Sequence, residues 1–324
     1  MTQRFLVSVG EDGAEAAVRQ ILAHVWKQAG LRGILIPHSP TGTDLPSPEL
    51  LESPDDLNHA TMLAPYMPFN AASKAVELLE SSPGEAFGLA LKPCELRSLV
   101  QFTQAHSLDM SPVMTISADC LAVYPPDDIE WRMADETIEA LTDEVLRFAP
   151  QGGILLSRFQ QSCQVCERPY PIDADIQIEL IGLDAKTHLI VAARDPSWLE
   201  TIEMEIRPVE PELLEKRARI LENIVSWRIK SRQNAGEKLD PELASPAGLM
   251  AHLKGCPECR EQLEAMCLQY SEGVFSTRGA ITEWVGTCSG CGTCDYQCPS
   301  NYPLFTIIAY LNDLFAQKGD NRVH

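Results

Sequence analysis

The residues of this sequence with the clearest chemistry are its eleven cysteines. Near the C-terminus, Cys288, Cys291, Cys294 and Cys298 follow the spacing C-x2-C-x2-C-x3-C-P. Such tight spacing wraps the backbone around an iron-sulfur cluster, so that several thiolates reach its irons. In two-cluster proteins the first three cysteines of this motif ligate one cluster, and the fourth ligates the neighbouring cluster. The motif therefore predicts two adjacent centres rather than one closed site.

The other half of such a pair is expected nearby, in the segment "HLKGCPECREQLEAMC". The same ligand rule assigns Cys267 to the first three cysteines of the C-terminal motif. It places Cys298 together with Cys256 and Cys259 as ligands of a second site. This second site is one cysteine short, because Gln262 stands where a third cysteine is expected.

Four interpretations of the incomplete site remain open. It could hold a [4Fe-4S] cluster completed by another residue, for which His252 is the candidate. It could instead hold a three-iron cluster, or it could be an empty, degenerate site. The spacing of His252, Cys256 and Cys259 also resembles a zinc knuckle, and Zn²⁺ accepts mixed nitrogen and sulfur ligands.

The elements expected to position these residues fall into three regions. Residues 1–197 alternate strands and helices, which predicts an α/β domain. Residues 198–245 are predicted as a helical linker, dominated by a long amphipathic helix from Pro211. Its basic face is expected to be solvated, the alternative being that it docks a cofactor phosphate or an acidic partner. Residues 246–324 are predicted as a small α-helical, cysteine-rich module. Within the first region we expect a loop over residues 38–58 and a helix over residues 134–149.

The remaining four cysteines lie in the predicted α/β domain: Cys94, Cys120, Cys163 and Cys166. The first two each follow a predicted strand, where the loops of an α/β sheet gather and ligand sites are built. The spacing alone leaves two alternatives. All four thiols could converge on one cluster, or Cys94 and Cys120 could be buried structural residues beside a zinc-type C-x2-C pair.

The order "KPCELRSL", a strand ending in "ADC", and C-x2-C leading into "ADI" resembles the beta subunit family of deazaflavin-coenzyme-reducing hydrogenases and dehydrogenases. That family includes beta subunits of formate dehydrogenases, and the resemblance extends over roughly residues 10 to 195. It implies a bound FAD and a [4Fe-4S] cluster held by the four cysteines of the domain. It also implies that Lys92 lies near the flavin or the cluster, the alternative being a surface lysine. Of the family's glycine-rich flavin loops, only Gly182 is retained.

The segment "CGTCDYQCPSNYPL" is similar to the ferredoxin-like dicluster region found in the C subunits of the Rnf complex and of heterodisulfide reductase. This resemblance covers about seventy residues. It implies that the C-terminal module relays electrons between clusters.

The composition limits the classes of partner. The formal charge of −20 disfavours binding to nucleic acid or to anionic membranes. The sequence also lacks a run of about eighteen apolar residues, which is the length expected of a membrane span. We expect a cytoplasmic protein, because no secretory leader precedes the cysteines. The sequence therefore predicts an iron-sulfur flavoprotein subunit of an oxidoreductase of the hydrogenase, formate dehydrogenase or heterodisulfide-reductase type.

We expect two or three [4Fe-4S] clusters, FAD, and other subunits of a redox complex as partners, with zinc as an alternative at Cys256 and Cys259. No catalytic residue is assigned. The alternative function is a flavin-free wiring or assembly scaffold that retains the clusters.

Overall fold

The computed structural model describes residues 2–153, 158–265 and 278–317. Its N-terminal part is built on an eight-stranded mixed sheet with the strand order β3-β2-β4-β5-β6-β7-β1-β8. The strands are β1 (Gln3–Ser8), β2 (Gly33–His38), β3 (Ser47–Leu51), β4 (Phe87–Leu91), β5 (Met114–Ala118), β6 (Ile176–Glu179), β7 (His188–Ala193) and β8 (Ile206–Pro208).

The helices described are α1 (Gly13–Ala29), α2 (Ala72–Ser81), α3 (Pro93–His106), α4 (Pro126–Arg132), α5 (Ile138–Leu146), α6 (Gln161–Gln164), α7 (Pro211–Glu237), α8 (Pro246–Gly255), α9 (Pro257–Ala265), α10 (Arg278–Gly286), α11 (Thr293–Gln297) and α12 (Leu304–Gln317). Short 3₁₀ helices cover Pro54–His59, Ala149–Gln151 and Pro196–Leu199. The expected α/β fold with a helical C-terminal region is confirmed.

The centre of the sheet is parallel, with β2, β4, β5 and β6 running in one direction. All five residues of β4 are buried, as expected for a strand covered by helices on both faces. Because parallel strands end at the same edge, the loops after β4 and β5 emerge side by side. Those loops carry Cys94 and Cys120.

Two predicted elements of the first region were wrong in detail. The expected loop over residues 38–58 contains β3, an antiparallel edge strand in which Pro48 pairs with Pro37. Proline is tolerated at a sheet edge, and its presence hid the strand signal. The expected helix over residues 134–149 is helical only over α5. Thr137 begins it as an N-cap, since its side chain accepts a hydrogen bond from the amide of Ala140 at 3.2 Å.

The predicted linker, residues 198–245, does not begin as a helix. Its β8 pairs with β1 and forms the edge of the sheet. The long helix follows as α7 over 27 residues. No helix in the described ranges combines the length and the apolar character needed to cross a bilayer.

The C-terminal helices enclose an apolar core of their own, formed around α8, α10 and α12. Leu249, Val285 and Leu311 are completely buried within it. Four cysteines belong to the same core: Cys256, Cys259, Cys294 and Cys298.

Candidate metal centres

Four cysteines of the α/β domain line a single small cavity. They are Cys94, Cys120, Cys163 and Cys166. Cys94 lies in the first turn of α3, directly after β4, and Cys120 follows the neighbouring strand β5. Cys163 is on the short helix α6 and Cys166 follows it. Among the described residues, none of these four cysteines forms a disulfide.

Backbone hydrogen bonds join the loops that carry these thiols. The amide of Cys120 donates to the carbonyl of Pro169 at 2.7 Å, which ties the loop after β5 to the segment after Cys166. The amide of Gln160 donates to the carbonyl of Val123 at 3.0 Å, just before α6. The cavity wall is therefore held by main-chain contacts and does not depend on a bound group.

Burial raises the pKa of Cys94 and of Cys163. It raises the pKa of Cys163 to about 12, and the nearby Cys120 and Cys166 add to the effect. It also raises the pKa of Cys94, with Glu95 contributing. Metal ligation requires thiolates, so a metal binding here must displace these protons.

Two buried cations lie against the same cavity. The Nζ of Lys92 donates to the carbonyl of Ala64 at 2.8 Å, and its backbone amide donates to Glu95 at 2.8 Å. Burial raises the pKa of Cys120, but the charges of Lys92 and Arg228 act in the opposite direction. Lys92 is 9% exposed, so the surface alternative for this lysine is wrong.

Arg228 of α7 was not expected at the site. It is 1% exposed, and its Nη1 donates to the carbonyl of Cys166 at 3.1 Å. Its Nε is buried without a hydrogen-bond acceptor among the described residues, although the side chain lines the cysteine cavity. A buried donor without a partner is costly, and acceptors such as thiolates or sulfides would satisfy it.

The expectation of a solvated basic face on α7 is therefore wrong for Arg217, Arg228 and Arg232, whereas Arg219 is exposed. Arg217 is buried in ion pairs with Asp119 and Glu179. Arg232 pairs with Asp313 of α12 at 2.7 Å. These side chains attach α7 to the sheet on one side and to the C-terminal helices on the other. In the sequence these arginines are typical of an amphipathic helix, because no neighbouring residue indicates their acidic partners.

The C-terminal motif reaches this cavity through Cys291. Cys291 lines it, and its charge raises the pKa of Cys94. The carbonyl of Cys291 accepts a hydrogen bond from the hydroxyl of Ser162 at 3.2 Å. Burial raises the pKa of Cys288 to about 12, with Cys291 adding to it. Cys267, expected as the fourth ligand, lies outside the described residues.

Arg97 holds the start of the motif against the α/β domain. Its guanidinium donates to the carbonyl of Ser289 at 2.8 and 3.0 Å and to that of Arg168 at 3.2 Å. One residue beyond the cavity-lining Cys291, Gly292 has a φ of +73°, and a Cβ there would lie 2.2 Å from the side chain of Ser162. Only glycine allows this close approach.

A third group brings together His252, Cys256, Cys259 and Cys298, whose ligand atoms all lie within 4.8 Å of one another. The Nε2 of His252 lies 3.3 Å from the Sγ of Cys259 and 3.7 Å from that of Cys298. This group could bind a metal ion. It includes His252, the histidine considered as a candidate ligand, and it brings Cys298 close to Cys256 and Cys259.

The surroundings of the third group prepare it for ligation. The ring of His252 stacks on Tyr302 with centroids 3.8 Å apart, and burial lowers the pKa of His252, which favours the neutral imidazole. Burial opposes the thiolate of Cys298, but hydrogen bonds from Ser300 and Tyr302 outweigh it and lower the pKa of this thiol. The second and third groups lie on contacting helices, since α9 carries Cys259, α11 carries Cys294, and both thiols belong to the same apolar core.

A larger groove of about 330 Å³ lies between the α/β domain and the C-terminal helices. Cys166 and Cys288 both line it, as do Arg97, Arg168 and Arg232.

Gly182, the glycine that the family resemblance assigns to a flavin loop, does not line this groove. A Cβ on Gly182 would meet the Cα of Arg217 at 3.1 Å, so its role is close packing against α7.

No protein-family model matches the sequence. Among solved structures, a chain of the F420-reducing [NiFe] hydrogenase complex from Methanosarcina barkeri, studied as a xenon derivative, superposes with a TM-score of 0.47 at 12% sequence identity. The superposition covers 72% of this chain and 92% of that chain. A likeness at this TM-score carries no functional inference.

Proposed function

We propose that this chain is an electron-transfer subunit of a redox complex, with iron-sulfur clusters at the cysteine cavity and at the Cys288 motif. The observation that carries the proposal is that Cys291 of the motif lines the cavity formed by the four cysteines of the α/β domain. Cys94 and Cys163 pack against the same small apolar cluster as Cys291. Two thiolate-ligated centres would therefore be in direct contact through the protein.

The residues present fit a cluster at the cavity. Four thiols are the ligand set of a [4Fe-4S] cluster, which would supply one-electron redox chemistry. Arg228 lines the cavity, and its Nε has no hydrogen-bond acceptor among the described residues. Lys92 and Arg228 bring positive charge towards the thiolates, which offsets part of the cost of burying an anionic centre.

FAD is proposed as the two-electron partner of these centres. The supporting observation is the groove that reaches both Cys166 and Cys288 and is lined by three arginines. Its size suits a large ligand. Arg97 already binds the carbonyl of Ser289 and Arg232 is paired with Asp313, so Arg168 is the guanidinium proposed to bind a flavin phosphate. A flavin-free wiring or assembly scaffold is the alternative, and the cavity geometry supports it equally.

The test is metal and flavin analysis of the full chain, purified without oxygen. We expect about four irons for each of the two cluster sites, and release of flavin on denaturation. Cys94→Ser should remove about four irons without affecting the others, and Cys288→Ser should remove the other four. Iron without flavin would select the scaffold alternative. Absence of both would contradict the proposal.

Serine substitutions outside the predicted ligands provide the matched control. Thr103→Ser lies on the same helix as Cys94, in a largely buried position, but does not line the cavity. Its iron content should equal that of the wild type. A loss of iron in this control would mean that damage to α3, and not the missing thiol, explains the effect of Cys94→Ser.

A further inference from the structure

We propose that His252, Cys256, Cys259 and Cys298 bind a single tetrahedral Zn²⁺ and not an iron-sulfur cluster. The proposal goes beyond electron transfer, because it assigns a structural role to one of the predicted cluster sites. It does not depend on whether the other two centres carry electrons.

The spacing of the ligand atoms favours a mononuclear site. Tetrahedral Zn²⁺ has bonds of about 2.3 Å to sulfur and about 2.0 Å to nitrogen, which places its ligand atoms about 3.5 to 3.8 Å apart. The Nε2 of His252 lies 3.3 Å from the Sγ of Cys259 and 3.7 Å from that of Cys298, and all four ligand atoms lie within 4.8 Å of one another. A cubane binds each ligand through a different iron, so its ligand atoms are separated by about 6 Å.

The ligand types agree with the spacing. One imidazole and three thiolates form a closed set of four, as in structural zinc sites. His252 lies on α8, Cys256 is the residue between α8 and α9, Cys259 lies on α9 and Cys298 follows α11. One ion would therefore fasten three separate segments of the C-terminal module at a single point.

Neighbouring groups fix these ligands in place. The ring of His252 is stacked on Tyr302 at an interplanar angle of 5°. The amide of Tyr302 donates to the Sγ of Cys298 at 3.4 Å, and its hydroxyl donates to the carbonyl of Leu243 at 3.0 Å. Such outer contacts orient metal ligands and stabilise the thiolate form.

A zinc ion at this position would change the expected electron path. Zn²⁺ has no accessible redox couple, so this site would hold the helices together and transfer no electrons. The path from the cavity would then end at the centre of Cys288, Cys291 and Cys294. This consequence alone rests on the proposed function.

The decisive experiment is zinc analysis together with X-ray absorption at the zinc edge. It uses the full chain, expressed in iron-rich medium without added zinc and purified without oxygen. We expect about one zinc per chain, surrounded by three sulfurs at about 2.3 Å and one nitrogen at about 2.0 Å. A chain without zinc, or zinc in a different ligand shell, would overturn the proposal.

Variants separate the zinc site from the cluster sites. His252→Ala and Cys256→Ser should each lose the zinc and retain the irons and the cluster absorbance. His106→Ala, at a histidine on α3 away from the site, should retain both. Zinc that persists in both site variants, or iron lost from Cys256→Ser without any loss of zinc, would contradict the assignment. Failure of the electron-transfer proposal would appear separately, as an absence of iron from the wild type.

Discussion

At the scale of single residues, the cysteine cavity is defined as much by its cations as by its thiols. Arg228 binds the carbonyl of Cys166 and keeps its Nε at the cavity without a described acceptor. A positive charge close to a redox centre favours the more negative, reduced state, and the effect is strong where water is excluded. Arg228 should therefore help to set the reduction potential of a cluster at this site.

Replacing this charge should shift the potential in a known direction. In Arg228→Met we expect the midpoint potential of the cavity cluster to fall by roughly 50 to 100 mV, because the reduced state loses a stabilising charge. A redox titration monitored by electron paramagnetic resonance measures this shift. Arg228→Lys, which keeps the charge, should show less than half of it. Equal shifts in both variants, or none in either, would contradict an electrostatic role.

At the scale of elements, the long helix α7 is the part that joins the two regions. Its Arg217 is 6% exposed and donates two hydrogen bonds to Asp119, at 2.6 and 2.9 Å. Asp119 directly precedes Cys120 and also accepts the amides of Leu180 and Ile181. The anchor of α7 is therefore built next to a predicted cluster ligand.

Removing one side of this buried ion pair should be costly. Arg217→Met leaves Asp119 and Glu179 buried without their cation, so we expect the free energy of unfolding to fall by about 3 to 5 kcal/mol. Urea unfolding measures the change. Arg219→Met is the matched control on the same helix, since its pair with Glu215 is exposed, and it should change stability by less than about 0.5 kcal/mol. Similar losses in the two variants would contradict the anchoring role.

The contact between α11 and α6 depends on one glycine. Gly292→Ala places a Cβ within 2.2 Å of Ser162 at a φ of +73°, so the segment before α11 must move away from the cavity. We expect about 2 kcal/mol of destabilisation and weakened magnetic interaction between the two cluster sites. Spin-relaxation measurements on the reduced protein test this effect. Gly286→Ala has open space around its Cβ and should behave as the wild type. Unchanged coupling in Gly292→Ala would contradict the contact.

Much of this element level was predictable from the sequence. The apolar residues of α1 recur at helical spacing, at Val18, Ile21, Leu22, Val25 and Trp26, and a glycine follows where a C-cap is expected. This glycine, Gly30, adopts a φ of +62°. The edge strand β3 and the N-cap at Thr137 were missed because proline and a single polar residue carry weak local signals. The roles of Arg217 and Arg228 could not be predicted, since both depend on partners brought close only by the folded chain.

At the scale of the whole molecule, the cysteine groups form a continuous series. Cys291 lines the cavity of the α/β domain, and Cys294 of the same motif shares an apolar core with Cys259 of the third group. The ligand rule grouped Cys298 with Cys256 and Cys259, whereas the family resemblance implied the grouping of the four cysteines of the α/β domain. Neither predicted the order of the groups in space. That order depends on α7, which attaches to both regions through side-chain ion pairs.

Stability of the molecule should depend on a buried carboxyl far along the chain from the cysteines. Burial raises the pKa of Glu15 from 4.5 to about 7, while the amide of Leu63 donates to it at 2.9 Å. The folded state thus holds this proton more tightly than the unfolded state. The resulting stability is complete below about pH 4.5 and is lost as the pH rises through about 7.

Glu15→Gln should abolish this pH dependence. At pH 8 we expect the variant to exceed the wild type by about 2 kcal/mol, after allowance for partial exposure, with little difference near pH 4.5. Thermal unfolding at several pH values measures the difference. Glu11→Gln, at an exposed position, should follow the wild type throughout. A gain from Glu15→Gln that is equal at both pH values would contradict the ionisation as its cause.

The central claim is that the cysteine cavity and the Cys288 motif hold two redox clusters in contact. Electron paramagnetic resonance of the oxygen-free, dithionite-reduced full chain tests it most directly. We expect two reduced iron-sulfur signals, broadened and fast-relaxing through their mutual interaction, and a single uncoupled signal in Cys94→Ser. A reduced wild type without iron-sulfur signals, or a Cys94→Ser spectrum identical to that of the wild type, would contradict the claim.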